Sequence, residues 1–204
     1  MKFLFRGLEF TVWPTVYEPA EDSVMMAENL RLDPGERVLD LGTGCGILAV
    51  LAALMGGEVV ATDVNPDAIS CAGENARRHG VANRIDLRLG SLFDPVRGEK
   101  FDLILFNPPY LPTAPDERDG SPLELAWDGG DEGRSVIDRF LEGLPDHMSS
   151  RGRAMFLHSS LSGERRTVEA MEKAGLRWRV LCRRKLFFEE LILFECRGQP
   201  PNAL

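Results

Sequence analysis

Asn107, Pro108, Pro109 and Tyr110 follow directly on the apolar run Phe101-Asp102-Leu103-Ile104-Leu105-Phe106. The Asn107 side-chain oxygen and the Pro108 backbone carbonyl are hydrogen-bond acceptors at adjacent positions. The paired prolines fix two φ angles, so both acceptors are held in place before a partner arrives. That arrangement suits a group with two hydrogens to donate, and Tyr110 offers a ring to pack against it. The bland alternative is a proline-rich turn that merely ends a strand.

A second set lies upstream. Asp40-Leu41-Gly42-Thr43-Gly44-Cys45-Gly46 is a GxGxG turn with an acid two positions before its first glycine. Glycines let the chain turn sharply and let a ligand approach the backbone. Dehydrogenases share a related GxGxxG turn, so the glycines alone say little. Asp63 ends the next apolar run, where a carboxylate can accept both hydroxyls of an adenosine ribose. Asn65 can cap a helix with Pro66 in its first position, which leaves Asp63 for a ligand. A nicotinamide site would explain the turn but not Asn107 to Tyr110. Cys45, Cys71, Cys182 and Cys196 form no CxxC pair and read as free thiols. His79, His147 and His158 stand alone, so no metal site is expected.

The elements that must position these groups alternate. Residues 2–12 read as a hairpin turning at Arg6-Gly7. Pro19 opens a helix to about Leu30, with Val24, Met25, Ala27 and Leu30 on its apolar side. Strands are expected at Val38–Leu41, Val59–Thr62, Ile85–Leu89, Phe101–Phe106 and Ala154–His158, with a final pair at Leu176–Cys182 and Glu190–Glu195. Helices are expected at Ile47–Met55, from Asn65 to Gly80, at Ser135–His147 and at Gly163–Lys173. Charges on the second face of Ile85–Leu89 suit an edge strand. The nearly continuous Phe101–Phe106 run suits a central parallel strand covered on both faces. Such alternation gives a doubly wound α/β sheet, mainly parallel, with ligands outside the carboxyl ends of its strands.

The 204 residues suit one α/β domain, an N-terminal hairpin and helix over 1–35 preceding a core over 36–197. The formal charge of −8 argues against a nucleic-acid partner, which calls for a basic patch. No apolar run approaches the roughly 18 residues of a membrane span. Lys2, Arg6 and Glu9 break the N-terminal apolar stretch, so a cytoplasmic protein is expected.

The glycine turn, Asp63 and the order of elements over residues 35–195 resemble the class I methyltransferases. The resemblance implies a Rossmann-like, seven-stranded sheet with one antiparallel strand near the C-terminus, and S-adenosylmethionine as cofactor with S-adenosylhomocysteine as product. By that likeness Asp40 helps hold the methionine amino group, Asp63 binds ribose, and Ser91 and Leu92 flank the adenine. Asn-Pro-Pro-Tyr after the fourth strand resembles enzymes that methylate a planar NH2 nitrogen, a glutamine amide or an exocyclic base amine. Val16-Tyr17-Glu18-Pro19-Ala20-Glu21-Asp22-Ser23 resembles the YEPAEDT-type segment of the HemK/PrmC group, closest to its short archaeal and eukaryotic branch. This places Tyr17, Pro19, Ser23, Asp40, Gly42, Gly44, Asp63, Ser91, Leu92 and Asn107 at the cofactor, and Asn107, Pro108, Pro109 and Tyr110 at the acceptor nitrogen. Trp127-Asp128-Gly129-Gly130-Asp131-Glu132-Gly133-Arg134 resembles the DGG-containing segment of the same group, its bland reading an exposed turn.

The resemblance implies methylation of N5 of the glutamine in the Gly-Gly-Gln segment of a class 1 translation release factor. Fewer than 40 residues precede the first core strand, so the helical docking domain of bacterial members is expected to be absent. It also implies a small zinc-binding activator protein, which can pair with Ile85–Leu89. Other readings are an amino-base methyltransferase acting on RNA or DNA, methylation of another protein side chain such as lysine, and a non-catalytic cofactor-binding scaffold. Residues 107–132 form a loop too long for a simple connection. It carries Asp116, Glu117, Asp119, Glu124, Asp128, Asp131 and Glu132 against Arg118, and is expected to line a substrate channel and face a cationic protein surface.

Overall fold

The computed structural model describes residues 1–118 and 120–198. Asp119, one of the loop acids, and the tail 199–204 lie outside them. The chain opens with a hairpin, β1 (Lys2–Phe5) and β2 (Leu8–Thr11). Its two-residue turn is Arg6-Gly7, both at positive φ (47° and 84°), as the right-handed strand twist requires. Helix α1 (Glu21–Asn29) begins two residues after Pro19 rather than at it, because Ala20 is still extended. Glu21 and Asp22 fill its first turn, where the helix dipole favours negative charge.

The core strands are β3 (Arg37–Leu41), β4 (Glu58–Asp63), β5 (Ile85–Leu89), β6 (Phe101–Phe106), β7 (Met148–Ser159), β8 (Leu176–Lys185) and β9 (Glu190–Gly198). Between them run α2 (Ile47–Leu54), α3 (Pro66–Arg78), α4 (Ser135–His147) and α5 (Glu164–Lys173). The sheet order is β5-β4-β3-β6-β7-β9-β8. The pairs from β5 to β7 are parallel, and β9 runs antiparallel to both its neighbours. The order reverses between β3 and β6, so Leu41 and Phe106 end side by side and the turns after them open onto one crevice.

Both faces of the sheet are covered, which explains the nearly continuous apolar run of β6. Leu103 and Leu105 pack with Met25, Met26 and α2 on one face. Ile104 and Phe106 pack with Phe140, Leu144 and Phe194 on the other. The N-terminal hairpin shares the first of these cores through Phe5, Phe10 and Val12. Asn75 of α3 ties it down, accepting from Thr11 N (2.8 Å) and donating to Thr11 O (2.8 Å).

β3 and β4 exceed their expected bounds by single residues, and three strands outrun theirs by more. β7 begins at Met148 and passes through polar Ser149–Arg153 by way of a bulge against β6. There the backbone approaches so closely that a Cβ on Gly152 would lie 2.7 Å from the Phe101 carbonyl. β8 runs on to Lys185 and β9 to Gly198. Arg183 pairs with Glu164 and Glu190, and Arg184 with Glu28, so the charges of this added stretch are matched by neighbouring elements.

Candidate active site

At the end of β3 the chain enters the glycine turn, with Gly42, Gly44 and Gly46 at φ of 63°, 55° and 83°. A Cβ on Gly46 would lie 2.9 Å from that of Ala72, so this glycine also lets α2 start against α3. Asp40 is buried beneath the turn, and its Oδ2 accepts from Thr43 Oγ1 (2.7 Å) and Ala49 N (3.1 Å). Burial pushes its carboxyl up to about 7, against those two hydrogen bonds.

Asp63 closes β4. Asn65 caps α3 as expected, its Oδ1 accepting from Asp67 N at 2.9 Å. The cap does not leave Asp63 free, however. Its Oδ2 accepts from Gly44 N (2.9 Å) and its Oδ1 from Asn65 N (2.9 Å). The carboxylate thus fixes the glycine turn and keeps one lone pair per oxygen for a ligand. Burial raises its pKa, and the backbone N–H groups of Asn65 and Gly44 oppose the rise.

Asn107 leaves the end of β6 with its amide oriented from one side. Its Nδ2 donates to Asp22 Oδ2 at 3.1 Å. The same oxygen accepts from the Tyr17 hydroxyl at 3.1 Å, while Asp22 Oδ1 accepts from Ser23 N and Ser23 Oγ. A carboxylate only accepts, so the amide must turn its nitrogen to Asp22 and its oxygen away. That oxygen, Asn107 Oδ1, is buried and finds no donor among the described residues. A buried acceptor without a partner is costly and calls for an explanation.

These groups surround a cavity of about 300 Å³. Its wall includes Tyr17, Pro19, Ser23, Asp40, Gly42, Gly44, Asp63, Ser91, Leu92, Asn107 and Pro109. A neighbouring hollow of about 410 Å³ is lined by Tyr17, Asp22, Tyr110, Leu111, Ala126 and Trp127. Tyr17 and Ala126 border both spaces, so the Asp22–Asn107 pair stands where they meet. Pro108 lines neither. Asp22, Trp127 and Arg139, which also line this region, carry no role in the sequence reading. Asp22 and Trp127 sit inside the two quoted segments without a role of their own, and Arg139 gives no local signal.

The Trp127–Arg134 segment is more than an exposed turn. Leu111 N donates to Trp127 O (3.0 Å), Gly129 N to Leu111 O (2.9 Å) and Thr113 N to Gly130 O (3.0 Å). A Cβ on Gly133 would lie 2.3 Å from the Tyr110 carbonyl, which also accepts from Ser162 Oγ at 2.8 Å. The segment is a brace against the backbone of Tyr110–Thr113, directly after Asn107–Pro109.

The long loop does line the cavity, through Pro122, Leu125, Ala126 and Asp128. Asp116, Glu117, Asp131 and Glu132 are exposed, and several of the loop acids are paired within the protein. Arg118 pairs with Asp128 (3.0 Å) and Asp131 (2.8 Å), and Arg166 with Glu132 (2.7 Å). Glu117 accepts from Ala114 N and buried Glu124 from Gly120 N. Cys45, Cys71, Cys182 and Cys196 are free thiols. Among the described residues no cluster of His, Cys, Asp or Glu is arranged to hold a metal, and no helix is long and apolar enough to cross a membrane.

Residues 18–118 match the methyltransferase small domain family. The chain is 41% identical over 189 residues to the "Putative protein N5-glutamine methyltransferase" of Methanocaldococcus jannaschii, covering 92% of this chain and 94% of that one. It is 37% identical to human methyltransferase HEMK2, over 79% of each chain. Among solved structures, it superposes with a TM-score of 0.70 and 26% identity on a chain of the E. cuniculi Mtq2–Trm112 complex, which is responsible for methylation of the eRF1 translation termination factor. That match covers 91% of this chain and 99% of the other. With the orphaned Asn107 acceptor, the glycine turn and these relatives together, the chain belongs to the HemK/PrmC family of glutamine methyltransferases, in its short archaeal and eukaryotic branch.

Proposed function

We propose that this enzyme methylates N5 of the glutamine in the Gly-Gly-Gln segment of a class 1 translation release factor, with S-adenosylmethionine as donor. The observation that carries the reading is the buried, unpartnered Asn107 Oδ1 at the meeting of the two cavities. A glutamine amide brings two N–H groups. Asn107 Oδ1 accepts one and the Pro108 carbonyl the other, which orients the nitrogen and favours the positive charge that grows on it. Tyr110, with Tyr17 and Trp127, gives the hollow flat apolar walls for the planar amide.

The larger set of cavity residues fits the cofactor. Asp63 keeps lone pairs for ribose hydroxyls, Asp40 is an acid beside the turn for the methionine ammonium, and Gly42 and Gly44 let the ligand lie against backbone. Tyr17, Pro19 and Ser23 close the cavity from the N-terminal side, and Ser91 and Leu92 border the adenine. When bound, the cofactor supplies a methyl group on a positively charged sulfur, already activated for transfer, and leaves as S-adenosylhomocysteine. Alignment is then most of the task, and well-oriented reactants save roughly 7–11 kcal/mol.

The outer edge of β5 carries no further strand among the described residues, and Leu89 is exposed on it. A small zinc-binding activator like the Trm112 of the related complex pairs with this edge in our reading. A pull-down that recovers no complex would remove that partner. A release-factor substrate sets the reaction in the cytoplasm. The deciding experiment supplies labelled donor, activator and purified release factor, with and without its Gly-Gly-Gln glutamine replaced. Label on the intact glutamine alone is the expected result. Label on both factors, or on neither, rejects the assignment.

A further inference from the structure

Phe187 and Phe188 are the most exposed large apolar side chains among the described residues, at 91% and 84%. They form the tip of the hairpin joining β8 to β9, closed by Leu186 N donating to Glu189 O at 2.8 Å. Their rings meet edge-on, with centroids 4.6 Å apart. Tight hairpin turns favour Gly, Asn, Asp and Ser, so the turn itself does not ask for two phenylalanines. Neither packs into the two cores. Paired, solvent-facing aromatic rings of this kind mark an interaction site.

The tip stands beside the acceptor hollow. Ser159 Oγ donates to the Glu189 carboxylate, and Glu190 N donates to Ser160 Oγ at 2.9 Å. Two residues on, Ser162 Oγ donates to the Tyr110 carbonyl at 2.8 Å. One short turn, Ser159 to Ser162, therefore holds both the base of the hairpin and the Asn107–Tyr110 segment. Leu161 in that turn is half-exposed as well. The Tyr17 and Tyr110 hydroxyls, raised in pKa chiefly by burial and by Asp22, also feel the Glu189 charge.

We propose that the Phe187–Phe188 tip is a docking knob for the protein that brings the acceptor glutamine, the two rings entering an apolar pocket beside the glutamine-bearing segment. The proposal rests on the glutamine-transfer reading above. A protein that threads one side chain into the hollow must pass over this rim, and the hollow itself grips little more than that side chain. A net charge of −8 opposes an anionic lipid surface as the occupant. A second copy seated here would stand over the mouth.

The test is the double variant Phe187→Ser/Phe188→Ser, assayed with whole release factor and with a short peptide spanning the Gly-Gly-Gln glutamine. KM for the whole factor should rise at least about tenfold with kcat unchanged, and transfer to the peptide should match wild type. An unchanged KM for the factor overturns the docking role, and so does an equal loss on the peptide, which would be a distortion of the cavity. Sedimentation with anionic vesicles, or dimerisation, that wild type shows and the double variant loses also overturns it. If the wild-type enzyme labels neither factor nor peptide, the glutamine reading fails and takes this proposal with it.

Discussion

Asn107 offers an oxygen and a nitrogen of nearly the same shape, and the Asp22 carboxylate selects which one faces the cavity. The Asn107→Ala variant should lose transfer by about 10²–10³-fold, the scale of deleting one preorganised hydrogen-bond partner in a reacting site. In Asp22→Asn the new side chain can donate as well as accept, so Asn107 is free to turn over. Activity should fall on the order of tenfold or more, mainly in kcat, with cofactor affinity little changed because Asp22 lines the acceptor hollow. An Asp22→Asn enzyme with wild-type kcat would show that the amide is oriented by something else. Asp40 makes a pH prediction. Its carboxyl is pushed up to about 7 by burial, and a ligand ammonium needs it ionised. Calorimetric affinity for S-adenosylmethionine should therefore weaken from about pH 8 to about pH 6, by up to roughly tenfold per unit below the pKa. Asp40→Asn should bind weakly with a flat profile over that range.

Among the elements, the brace over Trp127–Arg134 meets the acceptor segment at the Tyr110 carbonyl and holds the residues that follow it. Gly133 occupies a left-handed conformation at φ 67°, with no room for a Cβ beside the Tyr110 carbonyl. Gly133→Ala should push that carbonyl and the acceptor site with it. We expect kcat to drop on the order of tenfold or more, with at most a few degrees lost in Tm, because the brace lies outside the sheet. An enzyme that unfolds outright would mean the segment is part of the folding core, and unchanged kinetics would mean that the brace does not act on the site. The hairpin β1–β2 has a comparable positioning task. Asn75 joins it to α3 and donates as well to Cys45 O of the glycine turn (2.8 Å), so three elements share one side chain.

Taken together, the fold buries both faces of its sheet, and with them a whole imidazole whose two nitrogens go uncompensated. His158, at the end of β7, is fully buried, and neither ring nitrogen has a partner among the described residues. Burial lowers its pKa to about 4, with Arg134 nearby adding to the shift. Because the folded pKa lies below the unfolded value of 6.5, the unfolded chain takes up a proton first as pH falls. Stability is then lost between about pH 6.5 and about pH 4, by up to about 3 kcal/mol from this group. His158→Leu should remove that dependence, so that its advantage in Tm over wild type grows as the buffer is acidified through this window. A constant difference between the two would place the acid sensitivity elsewhere.

Chemistry written into neighbouring residues was readable before any coordinates. The GxGxG turn, the Asn65 cap, the Arg6-Gly7 hairpin and the proline-locked Asn107 each depend on φ restrictions and side-chain reach within a few positions. Period and composition likewise set the order of strands and helices, and the nearly continuous apolar run of β6 pointed to a sheet covered on both faces. The partner that orients Asn107 was not readable, because Asp22 lies 85 residues away and reaches it only after α1 docks on the sheet. Asp63 looked free because its bond to Gly44 spans two strand ends. The pairing of the loop acids with Arg118, and with Arg166 of α5, was not readable, because those contacts are made in three dimensions. Local sequence specifies backbone shape and the kind of groups on offer. Which lone pair is left unsatisfied at the end of β6 depends on contacts between segments far apart in the chain, and those exist only once it is folded.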